Sequence, residues 1–218
     1  METSALLSLP LAFVTSLLLG MRHATDADHI IAVSTIVSRE RSVLRSSWIG
    51  VMWGLGHSIT IFIVGGAIVF FKWSFTPRLG LSMEFVVALM LVVLGLLNLT
   101  PQVGASAEPS RLKPFFIGVV HGLAGSAAAT LLILPLIDDA RWAIVYLAVF
   151  GFGTIAGMAL VTIAVAAPAL LAAVRVVKLQ RGIRFASGAV SLAFGLYLGY
   201  KVGFVDGLFS VDPRWTPH

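Results

Sequence analysis

Long apolar runs separated by short polar stretches recur along the whole chain. At about 20 apolar residues per membrane crossing, they predict six helices, at residues 6–37, 47–71, 82–99, 114–137, 142–173 and 183–205. The first and fifth runs are too long for one straight crossing, because about 32 helical residues span about 48 Å and the hydrocarbon core is about 30 Å thick. Each run must tilt and protrude or be broken. The candidate break points are Pro10 and residues 23–29 in the first run, and Gly151, Gly153, Gly157 and Pro168 in the fifth.

The composition identifies the class of protein. Of the 218 residues, 58% are hydrophobic and 11% are charged, and the mean hydropathy is +0.98, which does not describe a soluble domain. We therefore predict an all-α, polytopic membrane helix bundle, with residues 1–205 as a single transmembrane domain and 206–218 as a short exposed tail. No Lys or Arg precedes the first apolar run, so we expect that run to be retained and not cleaved as a signal peptide.

Positive charges lie almost entirely in the loops, so the net charge of +5 serves topology and does not indicate nucleic-acid binding. Nine positive residues fall in the first, third and fifth loops, namely Arg39, Arg41, Arg45, Arg111, Lys113, Arg175, Lys178, Arg181 and Arg184. The opposite side carries only Lys72, Arg78, Arg141, Lys201 and Arg214. Because cytoplasmic loops carry the excess of Lys and Arg, we predict a protein of the cytoplasmic (inner) membrane with both termini outside.

One polar cluster lies inside the first apolar run, where residues 23–29 read His-Ala-Thr-Asp-Ala-Asp-His. Ionisable groups at membrane depth are costly and usually mark a path or a site. At about 100° per residue, a regular helix places His23, Asp26 and His29 within an arc of about 120°, while Asp28 points about 140° away from His23. A regular helix therefore cannot direct His23, Asp28 and His29 at one ion.

Three arrangements of this cluster remain open. The helix is unwound near residues 24–27, or Asp28 reaches a neighbouring helix, or Asp28 stands behind an imidazole and orients it. We favour the break, because unwound segments at membrane depth are tolerated where they line a cavity.

The available donor atoms limit the ions that such a site could hold. The chain has no cysteine, which excludes disulfides and thiolate ligands. Imidazole with carboxylate suits Ni²⁺, Co²⁺, Zn²⁺ or Mn²⁺ and disfavours Cu⁺, whereas Ca²⁺ and Mg²⁺ need more oxygens. Arg22, next to the cluster, is predicted to pair with Asp26 or Asp28 and so to keep the empty site neutral. No Gly-x4-Gly-Lys-[Ser/Thr] motif occurs, which excludes ATP binding by a P-loop.

An internal echo connects two later spans. Residues 49–58 align without gaps on residues 117–126 with six identities in ten, which fits either duplication or convergence on close packing. Each segment contains a Gly-x3-Gly-x3-Ser stripe, which lets helix backbones approach closely. Both segments enter from the same side in the predicted topology, so a true repeat would be parallel. The echo places His57 and His121 one turn apart on similar helix faces.

The polar cluster, read as His-x4-Asp-His, resembles the signature of the nickel/cobalt transporter (NiCoT) family. Residues 54–58 resemble the family's second signature, and residues 121–126 resemble a segment of its shorter, urease-accessory-like members. The resemblance implies a permease that moves Ni²⁺ or Co²⁺ as its substrate, without a cofactor. It implies the metal ligands His23, Asp28, His29 and His57. Nearby or pathway positions would be Asp26, His121, Arg22, Ser58 and Ser126.

Several functions remain open at this stage. Short relatives include importers and efflux pumps, and the lack of a long His-rich loop favours import. An intramembrane metalloenzyme is disfavoured, because four membrane histidines are too few for a di-iron desaturase pattern and no His-Glu-x2-His motif occurs. A third possibility is a module that binds metalloenzyme maturation proteins or a second copy of the chain. Its contact face would be Gly195, Gly199 and Gly203, although these glycines could equally serve intrachain packing.

Overall fold

The computed structural model describes residues 2–38, 40, 42–71, 76–100, 112–123, 137, 139–173 and 177–215, with side chains described outside 2–10, 168–173 and 177–180. Within these ranges the chain forms seven α-helices and no strand. The helices are α1 (Glu2–His23), α2 (Ala27–Val37), α3 (Val43–Phe71), α4 (Pro77–Leu99), α5 (Lys113–His121), α6 (Ala140–Ala173) and α7 (Val177–Tyr200), and α7 ends in a π-helical turn, Lys201–Val205. The predicted all-α membrane bundle is confirmed.

The first predicted crossing is broken at the polar cluster, as expected. Helix α1 runs through Pro10 and ends at His23, and α2 begins at Ala27 after an extended residue, Asp26. In the turn between them, the Asp26 N–H donates to the His23 carbonyl at 3.1 Å. The turn separates the two halves of the cluster onto different helices, so the periodicity of one helix no longer dictates their directions.

The fifth predicted crossing, in contrast, is one continuous helix. Helix α6 has 34 residues, or about 51 Å of length, and it passes through its glycines and Pro168 without a break. The glycines allow close approach instead: a Cβ on Gly157 would lie 2.9 Å from the Met21 carbonyl oxygen and 2.8 Å from the Ala24 Cβ of the α1–α2 turn. Small residues thus bring α1 and α6 into backbone contact.

Contacts between helices define their relative directions. Helix α1 is parallel to α6, because Ser16 donates to the Tyr146 carbonyl (2.8 Å) and Ala24 lies against Gly157, further along both helices. Helix α3 is antiparallel to α6, with Ser58 bonded to Gly151 and Gly50 against Thr162. Helix α5 is parallel to α3, and α7 is antiparallel to α4. These directions are the ones that alternating crossings require.

Among the described residues, four helical segments are long and apolar enough to cross a membrane, namely Val43–Phe71, Pro77–Leu99, Ala140–Ala167 and Arg181–Val205. The broken first crossing contributes two shorter apolar helices, Leu11–His23 and Ala27–Val37. Of the fourth predicted crossing, 114–137, most of the second half lies outside the described residues. The structure is therefore that of a multi-pass helical membrane protein.

The last helix and the tail both pack against other parts of the chain. Gly195 packs against α4, where a Cβ would lie 2.8 Å from the Val92 nitrogen, and Gly203 packs against Phe209 of the tail. Gly195 and Gly203 therefore serve packing inside the chain, which is one of the uses that the sequence left open. The tail is only partly exposed, because it folds back on α4: the Trp215 Nε1–H donates to Glu84 Oε1 at 2.9 Å.

Candidate metal centre

Four histidines from four helices meet near mid-height of the bundle. His23 ends α1, His29 lies in the first turn of α2, His57 is at the middle of α3, and His121 ends α5. Their ring centroids are 4.6 Å apart for His23 and His29, 5.0 Å for His29 and His57, and 4.4 Å for His29 and His121. All four are buried, and His29, His57 and His121 have no exposed surface.

Three of these imidazoles form a group suited to a single ion. His23, His29 and His57 each offer a nitrogen, and the three nitrogens lie within 4.8 Å of one another. The Nε2 atoms of His23 and His57 are 2.8 Å apart. Two nitrogens that bind one divalent ion at about 2.1 Å and at right angles stand about 3.0 Å apart. A divalent ion could therefore replace the proton between these rings with little movement.

Asp28 bridges two of the histidines. Its Oδ1 accepts hydrogen bonds from the backbone N–H and from Nδ1 of His29, both at 3.0 Å, and its Oδ2 accepts from Nε2 of His121, also at 3.0 Å. Asp28 thus reaches across to α5 and also orients His29. All three arrangements that the sequence left open therefore occur together: the helix is broken, Asp28 reaches a neighbouring helix, and Asp28 orients an imidazole.

Asp26 has the same relation to His23, with Oδ2 2.9 Å from Nδ1. Its side chain is 40% exposed, whereas that of Asp28 is 14% exposed. Because a carboxylate only accepts, Nδ1 of His23 and Nδ1 of His29 carry the protons in these bonds. Each Nε2 is left with its lone pair, which is the state that a metal ligand needs.

Three buried imidazole nitrogens lack a hydrogen-bond partner in the part of the chain that the structure describes: Nε2 of His29, Nδ1 of His57 and Nδ1 of His121. The indole Nε1 of Trp53 likewise has no partner there. Buried polar atoms are nearly always paired. Unpaired nitrogens concentrated in one cluster therefore indicate a place for a ligand, and their chemistry fits an ion of the Ni²⁺ or Co²⁺ type.

Aromatic side chains enclose the cluster. Trp53 is 1% exposed, and its ring centroid lies 5.6 Å from His29 and 5.4 Å from His121. Phe150 of α6 lies 5.6 Å from His23. Our sequence reasoning missed both residues. For Trp53 a signal existed, since it lies four positions before His57 and hence on the same helix face.

Three other positions were predicted to lie near the site, namely Arg22, Ser58 and Ser126. Arg22 is exposed, and among the described residues it forms no ion pair with Asp26 or Asp28. Imidazoles bond instead to both oxygens of Asp28 and to Oδ2 of Asp26. The predicted pairing of Arg22 is therefore absent. Ser58 donates to the Gly151 carbonyl at 3.0 Å and so joins α3 to α6. Ser126 lies outside the described residues.

Comparisons with known proteins agree with this picture. Residues 10–101 match the family described as "High-affinity nickel-transport protein", known as NicO. A urease accessory protein, UreH of Bacillus sp. (strain TB-90), is 36% identical in an alignment that covers 88% of this chain and 92% of that protein. No solved structure matches the chain.

Proposed function

Since the chain belongs to the NicO family of high-affinity nickel-transport proteins, we propose that it takes up Ni²⁺ or Co²⁺ into the cell through the buried histidine cluster. The family consists of transporters, which sets aside the intramembrane enzyme. The observation that carries the proposal is the convergence of four buried imidazoles and a carboxylate inside an apolar bundle. Such a group has no packing purpose that apolar side chains would not serve at lower cost.

In the proposed site, Nε2 of His23, His29 and His57 binds the ion. Asp28 and Asp26 hold the rings of His29 and His23 by their Nδ1–H groups, as carboxylates commonly do behind metal-bound histidines. Water or backbone oxygen would complete the coordination. Ni²⁺ and Co²⁺ accept such a set of borderline donors, and the absence of thiolate makes Cu⁺ a poor substrate.

The proposed orientation rests on charge. The first, third and fifth loops carry the positive excess, which favours their location in the cytoplasm and both termini outside the inner membrane. The alternating directions of the packed helices are compatible with this arrangement.

The proposed direction is inward. A divalent cation that enters a cell at about 100 mV, negative inside, gains about 4.6 kcal/mol, equivalent to a gradient on the order of 10³. The membrane potential would therefore suffice to collect a trace metal. Because a similar relative is named a urease accessory protein, we further propose that the imported ion serves the maturation of a metalloenzyme.

The test is ion uptake by the purified protein in lipid vesicles, with Ni²⁺, Co²⁺, Zn²⁺ and Mn²⁺ compared. We expect uptake of Ni²⁺ or Co²⁺ that falls at least tenfold in His23→Ala and His57→Ala. Ser58→Ala is the matched control, because Ser58 is buried next to His57 on α3 and, among the described residues, its hydroxyl bonds to α6 and not to the cluster. Unchanged uptake in both histidine variants would refute the site. Lower metal content in cells that express the protein would refute import and support efflux.

A further inference from the structure

Asp28, His29 and His121 form a second group of possible ligands, which shares His29 alone with the three-imidazole site. One donor atom from each lies within 4.8 Å of the others. We propose that this group is a second ion position, that it overlaps the first through His29, and that the transported ion passes between the two. This inference rests on the proposed function and deepens it.

The geometry of the second position matches that of the first. Oδ2 of Asp28 and Nε2 of His121 are 3.0 Å apart, the separation of two neighbouring ligands on one divalent ion at about 2.1 Å. His121 is fully buried, and its Nδ1 has no partner among the described residues. The proton on Nε2 can therefore move to Nδ1 of the same ring without breaking another hydrogen bond. An ion can then replace the N–H···O bond.

His29 links the two positions. Its ring centroid lies 4.6 Å from that of His23, 5.0 Å from that of His57 and 4.4 Å from that of His121, whereas the centroids of His57 and His121 are 5.9 Å apart. Its Nδ1 faces Asp28 and its Nε2 is unpartnered. Two divalent ions separated by one imidazole would repel each other strongly in a buried site. The positions are therefore occupied in turn, which makes His29 the residue past which the ion moves.

The two positions differ in chemistry, and this difference makes them distinguishable. The first offers three neutral imidazole nitrogens, whereas the second includes a carboxylate oxygen. Co²⁺ reports on such a difference through its visible absorption. If the ion occupies both positions, a variant confined to one of them has a spectrum different from that of a variant confined to the other.

The test uses the full-length protein in detergent and in vesicles, with Co²⁺ as the probe. His121→Gln keeps an N–H donor for Asp28 but removes the second-position imidazole, and His57→Gln removes an imidazole of the first position alone. We expect both variants to bind one Co²⁺ per chain with different spectra. We expect His121→Gln to keep the wild-type affinity within about threefold and to lose at least tenfold in uptake.

Several results would overturn the relay. These are wild-type uptake in His121→Gln, a spectrum in that variant identical to wild type, or two Co²⁺ ions bound per wild-type chain. If His121→Gln does not fold, the stoichiometry of the wild type and the spectrum of His57→Gln still test the relay. Complete loss of Co²⁺ binding in His57→Gln would mean that the second position does not exist. If the wild type takes up no ion, the proposed transport is refuted. The Co²⁺ spectra of the two variants then still show whether the two binding positions exist.

Discussion

Asp28 and Asp26 are two carboxylates in the same motif, each bonded to an imidazole Nδ1, and they predict very different effects of the same substitution. Asp28 accepts three hydrogen bonds and its side chain is 14% exposed, whereas Asp26 makes one such bond to His23 and is 40% exposed. Replacing each carboxylate by the amide of Asn preserves shape and removes one acceptor oxygen. Comparing the two variants therefore shows how much the burial of the Asp28 carboxylate contributes to metal affinity.

In Asp28→Asn, the new NH₂ group faces the N–H of either His29 or His121, so one imidazole must change tautomer or lose its partner. Hydrogen bonds to a charged group contribute about 1.5 to 3 kcal/mol each. Loss of the group that orients a metal-binding histidine typically lowers metal affinity by about 10- to 100-fold, or about 1.4 to 2.7 kcal/mol. In Asp26→Asn, water can replace the lost acceptor, and we expect a change below about threefold.

The assay is titration of Co²⁺ into purified protein in detergent, followed by absorption or calorimetry. Thermal unfolding of the ion-free variants verifies that both are folded. Equal losses of affinity in the two variants would refute the reasoning, since burial would then have no effect. Unchanged affinity in Asp28→Asn would show that the tautomer of His29 does not limit binding.

Three further substitutions test the packing around the site. Gly157→Ala should destabilise the bundle by about 1 to 3 kcal/mol and lower its melting temperature in detergent, because the new Cβ meets the Met21 carbonyl at 2.9 Å; an unchanged melting temperature would contradict this contact. Ser58→Ala removes one interhelical hydrogen bond, so stability should fall by only about 0.6 kcal/mol, with Co²⁺ affinity unaltered. Trp215→Phe removes a donor to the buried Glu84, and limited proteolysis should then cleave the tail faster than in wild type.

The break in the first crossing was predictable because two independent signals coincided. The run was too long for one helix, and its charged residues pointed in incompatible directions. The fifth run gave the length signal alone, and its glycines were equally compatible with a break or with close packing. The contacts of Gly157 with Met21 and Ala24 show that this glycine serves close packing of α6 against α1. The sequence alone does not specify which helix packs against α6.

The members of the candidate site could be proposed from the sequence, but the contacts of each member could not. His23, Asp28, His29 and His57 come from two segments whose motifs could be read directly. The role of Asp28 depends on its distances to His29 and His121, and the second of these follows from where α5 lies relative to α2. The pairing of Arg22 with a carboxylate was a reasonable electrostatic expectation, but it assumed that no neutral donor competes. In the structure, imidazole N–H groups bond to both oxygens of Asp28 and to one oxygen of Asp26.

The break also explains how a carboxylate can be retained in an apolar bundle. It places Asp28 in the first turn of α2, where the free N–H groups and the dipole of the helix favour a negative charge. Three hydrogen bonds from His29 and His121 compensate further for the lost water. A divalent cation that enters the cluster is attracted by this negative charge. Less electrostatic work is therefore needed to move the ion into the buried site than into a neutral one. In an unbroken helix the same carboxylate would not lie at a helix N-terminus, and it would not point towards the imidazoles. The turn at residues 24–26 therefore allows the fold to stabilise the buried negative charge and allows that charge to attract the ion.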